Sequence, residues 1–134
     1  MSNYSINKQS DNVWCRASKV IAAPTDTTHV VCPIPKSTLI TDIIVNKSTA
    51  YTDVGALVNI GFSGNGETAD PDAFMSSAVF DPAQVGVVSM KQGSVKNSGG
   101  KYFTSAGSIT VTSDDNGGTA GTFQVFVCYT QIKS

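Results

Sequence analysis

The stretch Thr38-Leu39-Ile40-Thr41-Asp42-Ile43-Ile44-Val45-Asn46 decides the fold class. Six of its nine residues are β-branched. Such side chains are stiff at χ1 and pack well on a pleated surface. Read with a period of two, Leu39, Thr41, Ile43 and Val45 share one face, and Ile40, Asp42 and Ile44 share the other. Pro33-Ile34-Pro35 precedes the stretch and Asn46-Lys47-Ser48 follows it, so the pattern is a bounded strand and not part of a helix.

The same signature recurs on both sides at fairly even spacing. Strands are predicted over 13–21, over 27–32 up to the prolines, and over 54–62. In the last of these, Ala56, Val58, Ile60 and Phe62 alternate against Leu57 and Asn59. Further strands are predicted over 84–90, 101–104, 108–112 and 121–132. Residues 63–72, 91–100 and 114–118 are turn-rich. Residues 72–80 fit two patterns. Asp70-Pro71 resembles a helix N-cap followed by proline at the first helical position, which allows a short helix near residues 70–77. An extended segment through Phe74 to Phe80 is the alternative. Residues 1–12 are polar without periodicity and are read as an arm, leaving residues 13–134 as one β domain.

Composition agrees with the pattern. Valine and isoleucine number 24, threonine 14, leucine two and glutamate one among 134 residues. Leucine and glutamate are what a surface helix uses most, and they are nearly absent. The fold expected is all-β: an antiparallel β-sandwich, jelly-roll-like. A net charge of −1 and 14% charged residues disfavour a large basic footprint, so no nucleic-acid partner is expected. No apolar run reaches membrane-helix length, so no membrane partner is expected either.

The search for chemistry returns little. His29 and Cys32 form a His-x-x-Cys pair, short of the four ligands of a structural zinc site. Gly61-Phe62-Ser63-Gly64-Asn65 lacks the last glycine of a nucleophile elbow. Ser98-Gly99-Gly100-Lys101-Tyr102 lacks the first glycine and the hydroxyl of a phosphate loop. Asp70/Asp72 and Asp114/Asp115 lie in turns, where aspartate is favoured for local hydrogen bonds. A calcium role for these aspartates stays open, although their spacing is not that of an EF-hand. Cys15, Cys32 and Cys128 are read as three reduced, mostly buried thiols. No catalytic set, cofactor or metal is expected.

The final predicted strand is unusual. Phe123, Val125, Val127 and Tyr129 share one face, while Gln124, Phe126, Cys128 and Thr130 share the other. A sheet with one wet face does not need apolar groups on both. This strand is therefore either covered by a loop or set against another subunit. Phe126, Cys128 and Thr130 are the candidate subunit-interface residues. Tyr4, Ile6, Val13 and Trp14 are the candidate contact residues of the arm. A sugar-binding surface built on Trp14, Tyr51 or Tyr102 is a further alternative.

The central stretch also resembles small virion structural proteins of tailed bacteriophages. The resemblance rests on Pro33-Ile34-Pro35-Lys36-Ser37-Thr38-Leu39-Ile40-Thr41-Asp42-Ile43-Ile44-Val45 and Ser48-Thr49-Ala50-Tyr51. It continues through Ala56-Leu57-Val58-Asn59-Ile60-Gly61-Phe62-Ser63-Gly64 and Asp70-Pro71-Asp72-Ala73-Phe74, about a third of the chain. The resemblance implies a non-enzymatic capsid decoration or cement protein, or a tail, collar or head-fibre adaptor. It implies a homo-oligomer, with a trimer favoured. It also implies the major capsid protein or other virion proteins as partners, and a place in the virion after assembly in the host cytoplasm.

Overall fold

A computed structural model describes residues 15–23, 26–53, 55–77, 80–92 and 96–132. The proposed arm contacts Tyr4, Ile6, Val13 and Trp14 lie outside the described residues. Within them the β-branched runs form nine strands: β1 (Cys15–Ala22), β2 (Asp26–Ile34), β3 (Thr38–Thr49), β4 (Leu57–Gly64), β5 (Asp70–Met75), β6 (Gly86–Ser89), β7 (Lys101–Phe103), β8 (Gly107–Asp114) and β9 (Thr122–Gln131). The helical element among the described residues is a single 3₁₀ turn, Met90–Gln92.

The strands make two antiparallel sheets. One has the order β1-β9-β3-β6, with β7 also paired to β3; it is called here the β9 sheet. The other has the order β2-β8-β4-β5 and is called the β8 sheet. Each half of the chain thus alternates between sheets, and the late strands β8 and β9 insert between early ones. This winding is the jelly roll, a double sheet that limits its exposed edges. β6 and β7 share the fourth column of the β9 sheet, β6 opposite residues 44–47 and β7 opposite residues 38–40.

The core lies between the sheets. Ile43, Val45, Val125 and Val127 enter from one side, and Val58, Ile60, Ile109 and Val111 from the other, all fully buried. Burial of each such side chain contributes about 1.5–3 kcal/mol before entropic costs. Phe62 of β4 meets Phe103 of β7 edge-to-face across the sandwich, with centroids 5.7 Å apart. Gly61 has no room for a side chain, because a Cβ would lie 1.9 Å from the Asp70 carbonyl oxygen. That close approach lets β5 pack over the outside of β4.

Three expectations need correction, and one open alternative is decided. The two-faced reading of residues 39–45 fails at Thr41, the extra residue of a bulge opposite Cys128. One extra residue reverses the phase of a strand. Ile40 therefore joins Ile43 and Val45 in the core, while Leu39 and Ile44 face outward, half-buried. Residues 70–75 are strand and not helix. Phe74 and Met75 are fully buried there, and pairing to β4 outweighs the local Asp-Pro signal. β2 runs through Pro33 to Ile34, because an edge strand tolerates a missing N–H. Finally, Cys15 and Cys128 are not separate thiols. They stand opposite one another in the β1–β9 ladder and are disulfide-bonded, which leaves Cys32 free and buried.

Candidate functional site: the outer face of the β9 sheet

Strand alternation that sends Phe123, Val125 and Val127 inward sends Gln124, Phe126, Cys128 and Thr130 outward. Register then assembles their neighbours. One row across the sheet reads Ser18, Phe126, Ile44, Ser89. The next reads Val20, Gln124, Asn46, Val87, and its two ends are 57% and 67% exposed. A row on the other side of Phe126 holds the Cys15–Cys128 bond beside Asp42, and beyond it Thr130, Leu39 and Tyr102 line up.

The rows through Phe126 and Gln124 carry no charged side chain. Several polar groups on and beside them bond to each other or to backbone. Gln124 Nε2 donates to Ser18 Oγ at 3.2 Å, and Ser48 Oγ donates to the Thr122 carbonyl at 3.3 Å. At the cysteine end, Ser89 Oγ donates to Asp42 Oδ1 at 2.7 Å and Arg16 Nε donates to the Tyr129 carbonyl at 3.1 Å. The face is therefore mostly uncharged and partly apolar, and several of its polar groups have partners already. Such a face suits burial against another surface, since little polar desolvation opposes contact.

Of the interface residues expected from sequence, Phe126 and Thr130 lie on this face, half-buried. Cys128 lies there too, but it is 4% exposed beneath its partner Cys15. Val20, Ile44, Val87, Leu39 and Tyr102 were missed. They come from β1, β3, β6 and β7, and only strand order brings them to the face of Phe126. The one local signal was a large apolar residue on the wrong phase of its strand, as at Ile44.

The outer face of the β8 sheet is different. Thr28, Thr110, Thr112 and Val30 floor a groove of about 360 Å³, and Ala69 and Pro71 wall it. The Thr28 and Thr112 hydroxyls lie 3.2 Å apart.

Elsewhere the candidate chemical groups are engaged locally. Lys96 Nζ lies 2.6 Å from Asp70 Oδ2 and 3.5 Å from Asp72 Oδ1. The Lys96 ammonium is the main cause holding the Asp70 carboxyl below its ordinary value. Lys101 pairs with Glu67 at 3.2 Å and stands 4.6 Å from the centre of the Phe62 ring. Asp114 and Asp115 accept backbone N–H groups of Asn116 and Gly117 within their own turn. Ser63 sits near the end of β4, followed by a turn and not a helix. His29 lies on β2, half-exposed. No group of three or more potential metal ligands occurs among the described residues. No helix among them is long and apolar enough to cross a membrane. Tyr51 does not serve as a sugar platform, because it is 4% exposed and packed on Phe123. Burial, helped by the Asp115 charge, pushes its phenol up to about 12.

The fold recurs in solved structures. A chain in the acidic stable capsid structure of Helicobacter pylori bacteriophage KHP30 superposes with a TM-score of 0.58 at 15% identity, covering 87% of this chain and 89% of that one. A chain in the capsid of Ralstonia phage GP4 superposes with a TM-score of 0.54, also at 15% identity, covering 89% of this chain and 86% of that one. No family model and no curated protein sequence matches the chain.

Proposed function

We propose that this chain is a non-enzymatic structural component of a phage virion, and that it acts as a capsid decoration or cement protein. The observation that carries the reading is the nearly end-to-end agreement of its jelly roll with chains in two phage capsid structures. Fold by itself does not fix function. The mostly uncharged outer face of the β9 sheet supplies the second support, because it equips the protein to act by contact.

In this reading the chain self-associates, as a trimer, through the outer face around Phe126, Thr130 and Ile44. The N-terminal residues Tyr4, Ile6, Val13 and Trp14 contact the major capsid protein or a neighbouring virion protein. Binding to the assembled shell alone stabilises that state by mass action. Assembly takes place in the host cytoplasm, and the mature protein resides in the virion.

The test is location and copy number in purified particles, by cryo-electron microscopy with quantitative mass spectrometry. A decoration protein is present at a copy number comparable to the shell protein and covers the capsid surface. A small fixed ring at the portal vertex or tail would replace this reading with a collar or tail adaptor. Absence from particles would end the virion assignment. In the matching binding assay, removal of residues 1–12 weakens attachment to undecorated heads. Full attachment by the truncated chain would refute the arm contacts.

A further inference from the structure

The disulfide on the outer face of the β9 sheet bears on when the chain is tied together. Cys15 opens β1, directly after residues 1–14, and its partner Cys128 is on the last strand, 113 positions away in sequence. The bond thus joins the start of β1 to the last strand on the outer face. Cys128 is buried but stands apart from the hydrophobic core. Cys15 is half-buried, and the guanidinium-bearing Arg16 beside it in sequence is exposed. Cys32 is in the opposite sheet among core residues. Burial pushes its thiol up to about 11, so it is chemically quiet at neutral pH.

We propose that Cys15 and Cys128 form a clasp that is open in a reducing compartment and closes afterwards by exchange with a low-molecular-weight disulfide. Disulfides persist in oxidising settings, virion surfaces among them, and are rare in cytosol. The use of the clasp to anchor residues 1–14 rests on the virion reading above; the exchange itself does not. The Cys15 thiolate attacks one sulfur of the small disulfide, forming a mixed disulfide and expelling one small thiolate. Cys128 then loses its proton and attacks the Cys15 sulfur, expelling the second small thiolate. The small disulfide is reduced, the two cysteines are oxidised, and their two protons pass to the released thiolates. The β1–β9 ladder from Ala17 to Ala22 holds the two strands in register through backbone pairing, so closure needs no refolding.

The experiment starts from the full-length chain, purified reduced and exposed to oxidised glutathione. Intact mass should fall by two hydrogen atoms, and peptide mapping should link Cys15 to Cys128. Cys32 should react with alkylating reagent only after unfolding. Cys128→Ser should stop at one glutathionyl group on Cys15. A bond to Cys32, or no intramolecular bond, would overturn the clasp. Limited proteolysis before Ala22 should slow several-fold on oxidation of the native chain and not change in Cys128→Ser. Equal cleavage in both redox states would overturn the anchoring role. Attachment to heads is scored separately on the same samples. A clasp that forms in a chain attaching in neither redox state upholds the exchange and counts against the virion reading.

Discussion

The two outer faces of the sandwich come from strands of similar composition, yet they present different surfaces. Around Phe126 the β9 sheet offers Val20, Ile44 and Val87, with Gln124 bonded to Ser18. Around Thr110 the β8 sheet offers the hydroxyls of Thr28 and Thr112 and a groove walled by Ala69 and Pro71. The second face is partly roofed by its own chain at Gly61. The first has no such roof among the described residues. One sheet closes part of its outer side internally, and the other leaves its outer side open among the described residues.

The largest expected effect removes the internal roof. Gly61→Ala forces a side chain into the Asp70–Pro71 backbone, so β5 must leave its place. A loss of roughly 3 kcal/mol or more is expected in urea unfolding, since backbone cannot yield as a side-chain tip can. Near-native stability would show that β5 does not cross Gly61 this closely.

The comparison is sharpened by matched charges on the two faces. Paired Ile44→Asp and Phe126→Asp should abolish self-association, moving the light-scattering mass from near three times 14.0 kDa to that of one chain. Either change alone should weaken association tenfold or more, about 1.4 kcal/mol or above. Thr112→Asp on the other sheet should leave the mass unchanged. A concentration-independent monomer in the unmodified protein, or loss of association in Thr112→Asp, would break the assignment of faces.

The smallest effect concerns the ion pair that holds the roof. Lys96 lowers the pKa of Asp70, so the pair adds stability above the ordinary aspartate value. That increment disappears as pH falls through the lowered value, because the native carboxyl must then take up a proton. Melting temperatures of the unmodified chain and Lys96→Met should differ slightly at neutral pH and converge in acid. A gap that persists at the lowest pH would assign the effect to packing and not to charge.

Much of the fold was legible along the chain. Alternation at Val58, Ile60 and Phe62, and at Phe123, Val125 and Val127, named core residues correctly. Their period of two is a property of backbone pleating, which local sequence controls. The two apolar faces of β9 likewise marked Phe126 as out of place. The groove of the β8 sheet was not legible. Its residues come from β2, β4, β8 and the 69–71 segment, and none carries a chemical motif.

Sequence alone determined the class: scarce leucine and glutamate with abundant β-branched residues leave an all-β chain, and Gly, Pro and Asp clusters mark the breaks. Tertiary structure alone decided which strands are neighbours. Placing β9 between β1 and β3 put Cys15 opposite Cys128 and Ile44 beside Phe126. It also made Thr41 a bulge, which turned Ile40 inward, and drew residues 70–75 into a strand against an Asp-Pro helix signal. Pairing between segments distant in sequence depends on closure of the whole core, and no local window contains that information.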